Sequence, residues 1–155
     1  MKLRIVALGH RLPPWVGEAY ADYARRMPRT LSLELVEIKA EPRDRGKSIE
    51  QVLTAEGERI AAATRGFHVI ALDERGSSRT TAELAAELGG WRDSALDVAF
   101  VIGSADGLAE KVKRDANVVI ALSALTLPHG LVRVMLAEQL YRAASLLQGH
   151  PYHRE

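Results

Sequence analysis

The residues able to do chemistry gather in the second half of this 155-residue chain, at two turns and at the C-terminal end. The first turn, Gly103-Ser104-Ala105-Asp106-Gly107, follows the continuously apolar run Val98 to Ile102. The second, Leu122-Ser123-Ala124-Leu125-Thr126-Leu127-Pro128, follows the apolar Val118 to Leu122. Open α/β sheets bind ligands beyond the carboxyl ends of their strands, and glycine there lets bare backbone approach a ligand closely. Ordinary tight connections would read the same way. Neither turn is a G-x-G-x-x-G fingerprint, and the chain has no P-loop. After the first apolar stretch there is only Gly9-His10-Arg11, which counts against a Rossmann-type site.

Other constellations are weaker. Ser104, Asp106 and His129 lack the G-x-S-x-G elbow that a hydrolase triad on this kind of sheet requires. His150 and His153 have no third ligand beside them, so no metal site is expected. Glu138 and Arg142 stand four residues apart, the spacing of a helix-surface ion pair. Arg133 interrupts an apolar stretch and must have a partner or a ligand. The tail Gly149-His150-Pro151-Tyr152-His153-Arg154-Glu155 joins a stackable ring to groups that could contact phosphate or base edges.

The elements that must carry these residues alternate. Strand patterns cover Leu3 to Leu8, Leu31 to Ile38, Phe67 to Leu72, Val98 to Ile102 and Val118 to Leu122. Helices are expected from Pro13-Pro14 to about Arg26 and from the Ser48–Gln51 capping box to about Ala63. A further helix runs from the Thr80–Glu83 capping box to about Leu88, stopped by Gly89-Gly90. The last two run from Leu108 to about Ala116 and from Gly130 to Gln148. Asp73-Glu74-Arg75-Gly76 reads as the turn closing the third strand. The alternation predicts one α/β domain over residues 1–155, with a mostly parallel sheet and helices on both faces. The final helix is apolar around much of its circumference, so a second subunit is expected against it.

Composition narrows the class. There is no cysteine, which excludes disulfides and thiolate chemistry. The N-terminal apolar stretch is too short for a signal peptide, and no run approaches the ~20 residues of a membrane span; a cytoplasmic location is expected. A net charge of +1 gives no general case for nucleic-acid binding, although Arg25, Arg26 and Arg29, and Arg43, Arg45 and Lys47, form basic clusters.

The run Leu122 to His129, then Leu131-Val132-Arg133, Glu138-Gln139, Leu140-Tyr141-Arg142-Ala143 and the ending His150-Pro151-Tyr152-His153-Arg154, closely resembles the ribosomal RNA large-subunit methyltransferase H family of the SPOUT class. Lys2-Leu3 and the Trp15 to Tyr23 helix resemble it too, so the similarity spans the chain. The resemblance implies methyl transfer from S-adenosylmethionine to the N3 atom of a pseudouridine in 23S rRNA, on the ribosome. It also implies a C-terminal trefoil knot, of which the periodicity carries no sign. The cofactor positions it implies are Leu72, Gly103, Ser104, Leu122, Ser123, Ala124, Leu125, Thr126 and Leu127. His129 is then the candidate base or orienting donor. Arg142 and Arg154 are candidates to stabilise charge on the base, beside Tyr152 and His153; a homodimer would let one tail complete the other subunit's pocket. Family members usually carry Gly-Gly where this chain has Gly103-Ser104. Two rival readings stay open: a ribosome-binding dimer without catalysis, and a knotted methyltransferase acting on tRNA.

Overall fold

The computed structural model describes residues 1–9, 11–44 and 46–154; His10, Arg45 of the second basic cluster and Glu155 of the tail lie outside them. In chain order the elements are β1 (Lys2–Leu8), α1 (Pro14–Arg26), β2 (Ser32–Ile38), α2 (Ile49–Ala63), β3 (His68–Ser78) and α3 (Thr81–Asp93). Then come β4 (Val98–Ile102), α4 (Glu110–Asp115), β5 (Val118–Ala121), α5 (His129–Gln148) and a 3-10 turn, Pro151–Arg154. The strands form one sheet in the order β2-β1-β4-β3-β5, with every pair parallel.

Alternation along the strands sends side chains to two cores. Leu3, Ile5, Val98, Phe100 and Ile102 face the layer of α1, α3 and α5, where Leu84, Leu88, Leu136 and Leu140 meet them. Val6, Leu8, Ala71 and Val101 face α2 and α4 through Ile60, Leu108 and Val112. The predicted helices on both faces are therefore present. Both capping boxes form: Ser48 accepts from the Gln51 amide and Thr80 from the Glu83 amide, with each partner side chain returning to the cap backbone.

Two boundaries differ from the sequence reading by more than two residues. Helix α3 does not stop at Gly89-Gly90 but continues to Asp93. Two glycines inside a helix cost ~1 kcal/mol each, and the extra turn recovers it by placing Trp91 against Phe100 and His68, with ring centroids 6.1 and 5.9 Å away. Asp73 to Gly76 is likewise not the end of β3. Leu72 and Ser77 both pair with Ile120, so the intervening residues bulge out of the ladder and the strand resumes to Ser78. A Cβ on Gly76 would stand 2.5 Å from the Ile120 carbonyl carbon. Only glycine fits there.

The last crossover sets up the site. From β5, at the edge beyond β3, residues 122–128 pass back to the end of β4, where the His129 ring meets the Gly103 carbonyl at 2.8 Å. This path is consistent with the threading that the resemblance implies. Helix α5 then packs against both α1 and α3. Much of its all-round apolar surface is thus covered within one chain.

Candidate active site

A cleft of about 990 Å³ opens at the carboxyl ends of the strands. Its apolar surfaces come from Leu72, Ile102, Leu108, Leu122 and Val132, and its charged rim from Asp73, Glu74, Asp106, Glu110, Lys113 and Arg43. Of the residues expected to hold a cofactor, Leu72, Gly103, Ser104, Leu122, Ser123, Leu125, Thr126 and Leu127 line this cleft, and so does His129. Ala124 is not among the lining residues.

The turn after β4 is tightly built. A Cβ on Gly103 would lie 2.6 Å from the Gly107 carbonyl carbon and oxygen, and Gly107 itself has φ +80°. Ser104 bonds through its hydroxyl to side chains outside the turn. It donates to Glu56 Oε1 (2.8 Å) and accepts from the Arg43 guanidinium (2.7 Å). Glu56 is only 1% exposed and also accepts from the Glu41 amide, while Arg43 donates to Asp106 at 2.6 Å. The serine therefore ties the turn to α2 and to the loop after β2. Sequence reasoning missed Glu56 and saw Arg43 only as one of a basic cluster. A signal existed: Val52, Glu56 and Ile60 recur at helical spacing, placing a carboxylate on the buried stripe of α2.

In the second loop Ser123 Oγ accepts from the Leu125 amide, and Thr126 donates to Glu74 on the β3 bulge. Leu125 stands 73% exposed at the cleft mouth. His129 opens α5 with Nδ1 on the Gly103 carbonyl and Nε2 3.3 Å from two nitrogens of Arg133. Burial, and next the Arg133 cation, hold its pKa below the ordinary value of 6.5. Arg133 has the partners that its burial demanded: Glu37 at 2.9 Å and the Gly9 carbonyl at 3.1 Å.

The tail lies elsewhere. Tyr152 meets Tyr141 in a tilted ring contact with centroids 4.6 Å apart and donates to Glu138, while Arg142 pairs with Glu138 at 2.7 Å and covers the Tyr152 ring. The His153 Nδ1 is buried with no hydrogen-bond partner among the described residues, and Arg154 is exposed. At 1.5 Å per residue, Arg142 sits roughly 20 Å down the α5 axis from His129. None of Arg142, Tyr152, His153 and Arg154 lines the cleft of its own chain. His150 accepts from the Tyr152 amide. No helix among the described residues is long and apolar enough to cross a membrane.

A parallel α/β sheet with a loop-built cleft at its carboxyl edge and a C-terminal helix returning to that cleft is the arrangement in which open α/β folds bind ligands. Residues 1–153 match the family described as "Predicted SPOUT methyltransferase", and the chain belongs to that family. It is 54% identical over 155 residues to a protein of Nitrosospira multiformis named "Ribosomal RNA large subunit methyltransferase H", covering 99% of each chain. A protein of the same name from Burkholderia multivorans is 53% identical over 155 residues, again with 99% of each covered. Among solved structures, a "Probable Methyltransferase from Bordetella pertussis Tohama I" superposes with a TM-score of 0.61 at 21% identity, over 92% of this chain and 95% of that one. At that identity the likeness speaks for the fold.

Proposed function

We propose that this protein methylates the N3 atom of a pseudouridine in 23S rRNA, using S-adenosylmethionine and acting as a homodimer on the assembled ribosome. The observation that carries the reading is the cleft: the two turns singled out in the sequence meet there, in a chain about half identical throughout to proteins named for large-subunit rRNA methylation.

The lining suits such a cofactor. Leu72, Leu122 and Ile102 offer apolar surface to a nucleoside, the turns at 103–107 and 122–127 offer backbone donors and acceptors, and Asp73, Glu74 and Asp106 offer carboxylates to cationic groups. S-adenosylmethionine would supply an electrophilic methyl group on a sulfonium. The protein's own task would be to hold the target base in line with that group, and such positioning can supply large accelerations without a covalent enzyme intermediate. Arg154 or Arg142 would stabilise negative charge on the ring once the N3 proton has passed to solvent, leaving the N3 lone pair to take the methyl group, and Tyr152 would supply a stacking face. Because these groups do not line the cleft of their own chain, a second subunit's tail would complete the site.

The test is incubation with labelled S-adenosylmethionine and ribosomes lacking the modification, followed by mapping of the label. Label at one pseudouridine of 23S rRNA supports the reading. Label in free tRNA alone, or ribosome binding with no methyl transfer, would replace it with one of its rivals.

A further inference from the structure

Both ring nitrogens of His129 already have partners. Arginine carries only donors, so Nε2, 3.3 Å from Nε and an Nη of Arg133, has to accept. A carbonyl only accepts, so Nδ1, 2.8 Å from the Gly103 oxygen, has to carry the proton. The other neutral tautomer would set N–H against N–H at one end and lone pair against lone pair at the other. The imidazolium would point a proton at a guanidinium. Only the neutral Nδ1–H form satisfies both ends.

Arg133 is itself fixed. It is 3% exposed, ion-paired to Glu37 on β2 and bonded to the Gly9 carbonyl after β1. One buried guanidinium therefore joins the ends of β1 and β2 and, through His129, the turn after β4, on the side of the cleft away from β5. Gly103 has no side chain with which to be held, and a Cβ there would collide with Gly107. Its carbonyl is the available handle.

We infer that His129 and Arg133 are positioning residues: Arg133 locks the imidazole as the Nδ1–H tautomer, and His129 uses that proton to hold the Gly103 turn in cofactor-binding geometry rather than taking a proton from the substrate. The inference rests on the methyltransferase reading for its meaning, while the tautomer on which it turns can be measured without it. If His129 were the base, its Nε2 lone pair would have to leave a buried cation, and the substrate would have to displace Arg133. The relay needs neither.

The first measurement is long-range nitrogen–proton NMR on histidine-labelled protein without cofactor. The expected result is a neutral His129 protonated at Nδ1 near neutral pH; an Nε2–H or charged ring overturns the inference. The second is a pair of isosteres, read by calorimetric titration with S-adenosylmethionine and by turnover on ribosomes. His129→Asn keeps a donor near the Nδ1 position, so cofactor affinity should fall by no more than about threefold and kcat by less than tenfold. His129→Gln places its amide near Nε2, leaves the Gly103 carbonyl unpaired and should weaken cofactor binding by about tenfold. A loss of kcat by orders of magnitude in both variants with cofactor affinity intact would identify a proton acceptor and sink the positioning role. Arg133→Lys keeps the charge without the planar fork; a His129 that then titrates at higher pH, with weaker cofactor binding, supports the lock. Failure of the unaltered protein to bind S-adenosylmethionine would instead defeat the proposed function and leave the tautomer result standing.

Discussion

At the level of single residues, Ser104 and His129 show how the cleft is held before any ligand arrives. Ser104 gives the buried Glu56 carboxylate one of its donors. Ser104→Gly should therefore destabilise the protein by about 1–2 kcal/mol, because a buried acceptor loses its partner. The check is a lower urea midpoint at unchanged m-value. His129 makes stability depend on pH. Burial and the Arg133 cation lower its pKa from 6.5, while the Gly103 carbonyl and Glu37 act more weakly in the opposite sense. Between that lowered value and 6.5 the unfolded chain binds a proton that the folded chain refuses. The stability contributed by the neutral ring is thus complete above pH 6.5 and is lost as pH falls through the window beneath it. Denaturation midpoints should drop as pH falls below about 6.5, and His129→Asn should lack that share of the slope. Equal slopes in both proteins would show that the ring does not refuse the proton.

At the level of elements, the β3 bulge and the tail carry separate expectations. Gly76 lets the returning strand cross the Ile120 backbone, so Gly76→Ala should disrupt the β3–β5 edge and with it the Thr126–Glu74 contact at the cleft. Loss of cofactor binding together with lowered stability is the outcome to look for. The tail forms a 3-10 turn docked on α5 through Tyr152, Tyr141 and Glu138, not a frayed end. Removing residues 152–155 gives up an aromatic contact and a hydrogen bond to a carboxylate, and should cost about 1–3 kcal/mol. Folding and cofactor affinity should survive, while methyl transfer falls by orders of magnitude. Arg154→Ala should reproduce much of that fall, and Arg154→Lys should restore little if planar contact matters. A truncated protein with unchanged turnover would make the tail purely structural.

At the level of the whole molecule, charge and assembly matter more than any one contact. The basic clusters are largely answered internally: Arg25 and Arg26 pair with Asp22, Arg43 with Asp106, and Lys47 with Glu41. With a net charge of +1 the chain has little sequence-independent pull on naked phosphate. Intact ribosomes should therefore be methylated much faster than an isolated stem-loop, and equal rates on the two would overturn this. A homodimer should appear by light scattering at micromolar concentration. Leu140, though on the apolar final helix, is the wrong residue with which to probe it: it is 0% exposed in the subunit core, so a charge there should unfold the chain. Trp15, 50% exposed at the start of α1, is the better site for a charged substitution intended to leave the fold intact. A monomer at all concentrations would leave the tail without a cleft to complete.

Local chemistry was legible in the sequence. Capping boxes at Ser48 and Thr80, the strand periodicities and the two turns at 103–107 and 122–128 follow from nearest neighbours along the chain, and the structure places them as read. So does the burial of Arg133, since a lone cation in an apolar helix has to find company. Of that company only His129 stands within reach along the helix, four residues earlier; Glu37 and Gly9 could not be read, because they meet Arg133 only when β1, β2 and α5 converge. The glycine pair in α3 misled for the same reason: helix propensity is a local cost, and its repayment by Trp91 comes from residues far away in sequence. The distance between the cleft and the tail is likewise a tertiary fact. A helix of fixed rise separates His129 from Arg142, and only folding decides that the two ends of α5 face different surroundings.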